Sequence, residues 1–281
     1  MIENFDPKSI RIAAFDLDGT TLQDGYLSPA VEKALRTLAK MGIAVTVATG
    51  RDISQIPLNV LDCFQYRVTT NGASVTDKDG NVLSEHTIDA KTAYDTLCTV
   101  RRHGAKTAVY YNGYVLASPA FLLRLLRRTN YLNKSHRKTT KSVRKGKIRF
   151  FSHQYVRRNA KNVYKIQCFF KSSSDQEAAA RELERTLPVN PCMLEDASME
   201  ISYKGVSKAH GMLELCESLG SKAENIIAFG DSANDLELLK TAGFSVGMGN
   251  AEQCVKLTVD YITDPVTEDG VATAISHLFS L

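Results

Sequence analysis

The sequence predicts an α/β protein with a second, inserted unit, and three observations predict it. Apolar runs at residues 10–16, 43–49 and 225–229 read as strands buried on both faces. Segments of helical period separate the first two, as a parallel sheet requires. Between Thr96 and Ser174 there is no Asp or Glu but 19 of the 35 Lys and Arg, which leaves 16 basic residues against all 31 acidic ones elsewhere. One basic segment inside an acidic protein marks two regions with different tasks. The expected architecture is a Rossmann-like parallel sheet with helices on both faces, plus an inserted α+β domain.

The elements follow in order. Residues 10–16 form the first strand. The segment 28–42 is a helix, with Ser28 as N-cap, Pro29 at its first position and Gly42 as its stop. Strands at 43–49 and 66–73 come next. The pattern then changes. Segments 81–88, 106–118 and 162–171 read as strands that alternate or pair locally, with helical stretches at 90–103, 119–129 and 175–187. Residues 131–161 read as a basic stretch, mostly loop. From about Met199 the first pattern resumes: strand "MEISY", helix "SKAHGMLELCESLG", strand "NIIAFGD", helix "ANDLELLKTAG", strand "FSVGM" and a closing helix at 268–280. The domain boundaries expected from this are 1–82 with 195–281 for the core, and 83–194 for the insertion.

Composition narrows the class. The chain has 281 residues, enough for a sizeable core in one or two domains. No apolar run reaches the ~18–20 residues of a membrane span, and the N-terminus lacks a basic start followed by an apolar stretch. The six cysteines are scattered without C-x-x-C spacing, which points to reduced thiols and a cytoplasmic location. Nothing in the sequence signals an oligomeric state.

Four polar constellations each follow a predicted strand, where open parallel sheets bind ligands. They are Asp16-Leu17-Asp18-Gly19-Thr20, Thr49-Gly50-Arg51, Lys208 after Gly205, and Gly230-Asp231-Ser232-Ala233-Asn234-Asp235. Asp16 and Asp18 stand two apart, so on a continuing strand they would share a face, at a cost that a cation or a shared proton offsets. Clustered carboxylates suit Mg²⁺. A hydroxyl, a lysine and glycine N–H groups suit a phosphate. A carboxylate held beside both can attack phosphorus.

The motifs "DLDGT", "TGR", "GVSK" and "GDSANDLELL", in that order, resemble those of the haloacid dehalogenase superfamily of phosphohydrolases. "TNGA", "SVGMGNA" and "EDGVA" resemble its Cof-like subfamily, which carries a large α/β cap. The resemblance covers residues 10–80 and 195–281. It implies a phosphatase that takes Mg²⁺ and acts on a small phosphorylated metabolite such as a sugar phosphate, nucleotide or phosphorylated cofactor. Asp16 would be nucleophile and metal ligand. Asp18 would ligate through its main-chain carbonyl and serve as general acid and base through its carboxyl. Thr49, Gly50 and Lys208 would hold phosphoryl oxygens. Asp231 would ligate the metal, with Asp235 behind it. Asn71 and Asn234 would lie near the transferring group. Thr21, where many members have Leu, departs from the pattern outside the catalytic positions.

Each motif also has a plainer reading. Asp16 and Asp18 could cap a turn, Thr49-Gly50-Arg51 is an ordinary strand-end turn, and Arg51 reads equally as a surface residue. Asn71-Gly72 could be a tight turn only. The basic runs 134–150 and 155–165 read first as a solvated surface and second as an attractor of anionic substrates. Nucleic acid is the lesser partner reading for them. A phosphotransferase or phosphomutase on the same core, and a phosphate- or nucleic-acid-binding protein, are the alternative functions.

Overall fold

The computed structural model describes residues 5–111, 114–124, 156, 163–194 and 196–281, and the backbone of 147–150. Most of the two basic runs lies outside these residues. The chain folds into two compact units.

The first unit comprises residues 1–51, 56–85 and 207–281. Its parallel strands are β1 (Ile12–Phe15), β2 (Ala44–Ala48), β3 (Tyr66–Thr69), β12 (Ile226–Gly230), β13 (Phe244–Gly247) and β14 (Tyr261–Ile262). An antiparallel extension, β4 (Ser74–Asp77) and β5 (Val82–Glu85), completes the order β14-β13-β12-β1-β2-β3-β4-β5. The register places Phe15 beside Phe229 on one side and Val47 on the other. The loops after β1, β2 and β12 therefore leave the sheet side by side.

Helices cover both faces. Helix α1 (Pro29–Lys40) is capped by Ser28, whose hydroxyl accepts from the Val31 N–H at 3.1 Å. Helix α2 (Leu58–Leu61) follows β2, the short α7 (Gln253–Lys256) precedes β14, and α1 packs on α8 (Gly270–Phe279). Helix α5 (Lys208–Ser218) packs against α6 (Leu236–Thr241) and β3 to β5. Its Gly211 lies so close to Val68 that an added Cβ would meet the valine Cγ1 at 2.8 Å. Val68 thus faces α5, and Arg67, its neighbour on the pleat, faces α1.

The second unit comprises residues 52–55 and 86–206. Its sheet has the order β10-β11-β9-β6-β7-β8, made of β6 (Lys106–Tyr111), β7 (Tyr114–Ala117), β8 (Lys147–Phe150), β9 (Val163–Phe169), β10 (Val189–Leu194) and β11 (Ser198–Tyr203). All pairs are antiparallel except β7 with β8. Helices α3 (Ala90–Arg102) and α4 (Ser173–Thr186) pack on each other over a core that includes Leu97, Ile166, Leu183 and Ile201. Tyr164, within the basic run 155–165, is buried, and Lys165 is ion-paired to Glu200 at 2.7 Å.

Several features differ from the sequence reading, including strands β4, β8 and β14, which it did not contain. "MEISY" does not resume the parallel core: β11 pairs antiparallel with β9 and β10. Strand β10 has no counterpart in the sequence reading, because Pro191 removes a ladder donor; it is tolerated on an edge strand. Among the described residues no helix is long and apolar enough to cross a membrane, and all six cysteines are free thiols.

Candidate active site

The site lies wholly within the first unit, at the carboxyl ends of β1, β2, β3 and β12. Asp16 is the first residue after β1, and its N–H donates to the Phe229 carbonyl at 3.1 Å. Lys208 opens α5, where Ser207 caps the helix by accepting from the His210 N–H at 3.1 Å. The Lys208 ammonium donates to Asp16 Oδ1 at 2.6 Å and to Asp235 Oδ1 at 2.7 Å. The lysine side chain is 1% exposed, and its two partners 7% and 0%. Asp16 Oδ2 makes no hydrogen bond among the described residues.

Asp235 is held by both oxygens. Besides Lys208, it accepts at Oδ2 from the N–H groups of Asp231 and Ser232 at 3.1 and 3.2 Å. Asp231 Oδ1 accepts from the Thr20 hydroxyl at 3.0 Å. Oxygens of Asp16, Asp231 and Asp235 come within 4.8 Å of one another. Gly19 permits this approach. Its φ is +84°, and a Cβ there would stand 2.3 Å from Asp231 Oδ2.

The electrostatics follow from burial. Desolvation, reinforced by Asp235 and Asp231 and opposed by Lys208, pushes the Asp16 carboxyl up to about 8. Desolvation and Asp235 push Asp231 up to about 6, against the Thr20 hydrogen bond and Lys208. Burial disfavours the Lys208 charge, but Asp16 and Asp235 outweigh it and hold the ammonium above its ordinary range. Three ionised carboxylates with one ammonium leave a buried charge of −2, which a divalent cation would cancel. An all-oxygen set of this kind fits Mg²⁺.

Asp18 is placed differently. Arg51 binds it in a bidentate fork, with Nε on Oδ2 at 2.7 Å and Nη2 on Oδ1. Its carboxylate is 56% exposed and stands outside the Asp16–Asp231–Asp235 group. No motif pairs Asp18 with a residue 33 positions away.

Thr49, Gly50 and Asn71 form a neighbouring shelf. The Asn71 N–H donates to the Thr49 carbonyl at 3.0 Å, and the Thr70 N–H to the Arg51 carbonyl at 2.9 Å. The Thr49 hydroxyl accepts from the Arg51 N–H at 3.2 Å. Thr70 and Asn71 have φ of 54° and 56°, a left-handed pair unusual for a β-branched residue. Gly72 then passes α5 so closely that a Cβ would stand 2.0 Å from the Ser207 carbonyl oxygen. Asn234 is partly exposed in the turn after β12, and its side-chain oxygen accepts from the Ser232 hydroxyl at 2.6 Å.

Sequence reasoning left several supports unassigned. The Thr21 hydroxyl, at the position that departs from the pattern, donates to the Asp16 main-chain carbonyl. Asn250 donates from Nδ2 to the Gly19 carbonyl at 2.9 Å and accepts the Val266 N–H at 2.7 Å, tying two loops together. It falls inside "SVGMGNA", the stretch singled out without a role. Glu252 accepts from the Ala233 N–H at 3.3 Å, and its own N–H donates to the Asp231 carbonyl at 2.8 Å; no sequence signal marked it.

Comparison with known proteins gives the family. The profile of the haloacid dehalogenase-like hydrolases matches residues 13–275. The chain is 28% identical over 276 residues to the 5-amino-6-(5-phospho-D-ribitylamino)uracil phosphatase YcsE of Bacillus subtilis, covering 95% of each chain. It is 29% identical over 246 residues to the HMP-PP phosphatase of Serratia proteamaculans, covering 86% of this chain and 84% of that one. A solved haloacid dehalogenase-like hydrolase from B. subtilis superposes with a TM-score of 0.81 at 27% identity, covering 96% of this chain and all of the other. The chain belongs to the haloacid dehalogenase-like hydrolases. Within them it is a phosphatase of the Cof-like subfamily, a phosphoric monoester hydrolase.

Proposed function

We propose that the chain is a Mg²⁺-dependent phosphatase of a small phosphorylated metabolite, working through an aspartyl phosphate on Asp16. The observation that carries this reading is the buried Lys208 bridge between Asp16 and Asp235, with Asp231 beside it. Asp16 and Asp231, with the main-chain carbonyl of Asp18, would hold Mg²⁺, and Asp235 would support them from behind. The bound ion would neutralise charge on the cluster and on the phosphoryl oxygens.

The residues divide the work. Burial pushes the Asp16 carboxyl up, so further positive charge favours the ionised form that attacks. An Asp16 carboxylate oxygen attacks phosphorus while the ester P–O bond breaks and the leaving oxygen takes a proton from Asp18. Water then gives a proton to Asp18 and attacks the acyl phosphate, releasing inorganic phosphate and restoring Asp16. Both Asp18 oxygens accept from Arg51, which orients the carboxyl and leaves each oxygen a lone pair with which to exchange protons. Lys208 and the Thr49 shelf hold the phosphoryl oxygens, and stabilising their charge is the main catalytic task.

The test is phosphate release from a panel of phosphorylated metabolites with and without Mg²⁺. It should begin with 5-amino-6-(5-phospho-D-ribitylamino)uracil and HMP-PP, the compounds named for the relatives. Turnover that needs Mg²⁺, with a phospho-Asp16 trapped by acid quench, is expected. Equal turnover in excess chelator, or transfer to an added sugar in place of phosphate release, would overturn the reading.

A further inference from the structure

A second charge imbalance lies in the same unit, at the amino end of the sheet. A cavity of about 490 Å³ opens there between the last turn of α1, the loop after α2, the start of β3 and the β4–β5 turn. This is within the size range of small-molecule sites. Arg36, Lys40, Arg67 and Lys78 line it, against Asp62 and Asp79.

Most of these charges are committed elsewhere. Arg36 pairs with Glu32 at 2.8 Å, and Lys78 with Asp79 at 2.8 Å. Asp77, just outside the cavity, accepts from the N–H groups of Asp79 and Asn81 at 2.9 Å and from Asn81 Nδ2 at 2.7 Å. Lys40 has no ion pair or side-chain hydrogen bond among the described residues, and Asp62 remains as an exposed carboxylate on the rim.

Arg67 is the exceptional group. It is only 8% exposed, yet no carboxylate among the described residues reaches salt-bridge distance of it. Its Nη1 donates to the carbonyls of Asp77 and Lys78 at 3.1 and 3.0 Å. Its Nε is sealed from solvent with no partner, and Nη2 makes no hydrogen bond among the described residues. Burial lowers its pKa, and the nearby charges of Asp62, Asp77 and Asp79 only partly offset this. A buried donor left unsatisfied and a buried charge left unpaired are both costly. Of the two idle donors only Nη2 is open to the cavity, where it can give a carboxylate or phosphate oxygen a charge-assisted hydrogen bond.

We propose that this cavity is a second binding site, which takes the phosphoryl or carboxylate group of a small metabolite on Nη2 of Arg67, with the Lys40 ammonium as a second anchor. The site is separate from the Asp16 cluster, which lies at the opposite end of the strands. Arg67 therefore does two things: Nη1 pins the β4–β5 turn, and Nη2 receives the anion.

The experiment observes the arginine Nε–H signals of the full chain by ¹⁵N–¹H NMR during titration with sodium sulfate, and separately with sodium acetate, at matched ionic strength. Arg67→Lys assigns the Arg67 signal by its disappearance. Should that variant fail to fold, through-bond correlation to the Arg67 backbone assigns it. A saturable shift of the Arg67 signal is expected, whether or not the Arg51 signal, which reports the catalytic end, also moves. Saturation by sulfate alone identifies a phosphoryl ligand, by acetate alone a carboxylate, and by both a general oxyanion site. Lys40→Ala, an exposed substitution, should weaken that binding by about threefold to tenfold. An Arg67 signal that does not move, or that drifts without saturating, overturns the proposal, as does an unchanged affinity in Lys40→Ala.

Discussion

The two ends of the parallel sheet carry opposite imbalances and build them by different means. At the carboxyl end, Asp16, Asp231 and Asp235 surround Lys208, with excess negative charge. These residues come from β1, β12 and α5, far apart in sequence, and the register of Phe15 beside Phe229 brings their loops together. At the amino end, Arg67 and Lys40 stand without an ion-pair partner among the described residues, both within a short stretch of chain. The first imbalance is nearly closed to solvent, which suits the small ion proposed for it. The second opens into a cavity, so its counter-charge can be carried by a larger molecule. Burial turns each imbalance into a binding preference, because a charge out of water finds no compensation there.

The largest effects should come from the carboxyl end. Asp16→Asn removes the proposed nucleophile and should lower kcat by about 10⁴-fold. It also removes one of three crowded carboxylates, so the metal-free variant should melt at or above the wild-type temperature. Near-normal phosphate release by this variant would break the mechanism. Lys208→Met should likewise abolish turnover but act on stability in the opposite sense. It leaves three carboxylates with no ammonium and should cost about 3–5 kcal/mol in chelator, by the general cost of breaking a buried ion pair. Denaturant melts of both variants check this. Equal stabilities would mean that Lys208 does not neutralise the cluster.

A smaller effect should appear in the pH dependence of stability. Asp16 and Asp231 are raised from 3.8 to about 8 and about 6, so the folded chain holds protons that the unfolded chain has lost. Stability in chelator should therefore fall as pH rises from about 4 to about 8, opposite to the usual behaviour of paired carboxylates. The melting temperature should drop by more than about 5 °C across that window. Mg²⁺ should flatten the slope by replacing the protons. A metal-free melting temperature that rises over the same range would show that the cluster is better compensated than its burial implies.

Much of the carboxyl end was legible in the sequence. The four motifs placed Asp16, Asp18, Thr49, Lys208, Asp231 and Asp235 in strand-end loops, because apolar runs ending in polar loops mark the strand ends. What the sequence did not carry was pairing across long separations. The Arg51–Asp18 fork spans 33 residues, and either residue alone reads as a solvated charge. Strand β11 has the alternation of any half-buried strand, and alternation does not say which sheet it joins. Arg67 lies inside the predicted strand 66–73 with no motif to mark it, because its isolation depends on where Asp77 and Asp79 turn their carboxylates. Thr21 looked incidental because its role lies in a main-chain hydrogen bond, which no motif spells out.

The smallest expected effect bears on the contrast between Asp16 and Asp18, one sealed against Lys208 and the other forked by Arg51 in partial exposure. Arg51→Ala breaks the fork, and a pair this exposed contributes little to stability, so the melting temperature should hold within a few degrees. Turnover should fall by about tenfold or less, because Asp18 loses the group that positions it and must find its proton-transfer geometry unaided. If Arg51 acts only through Asp18, Arg51→Ala should cost nothing further in an Asp18→Asn background, where no acid is left to position. A double-mutant cycle on kcat measures this coupling directly. Additive losses would mean that Arg51 serves the reaction by a separate contact, and Asp18 would then need another explanation for its place outside the buried cluster.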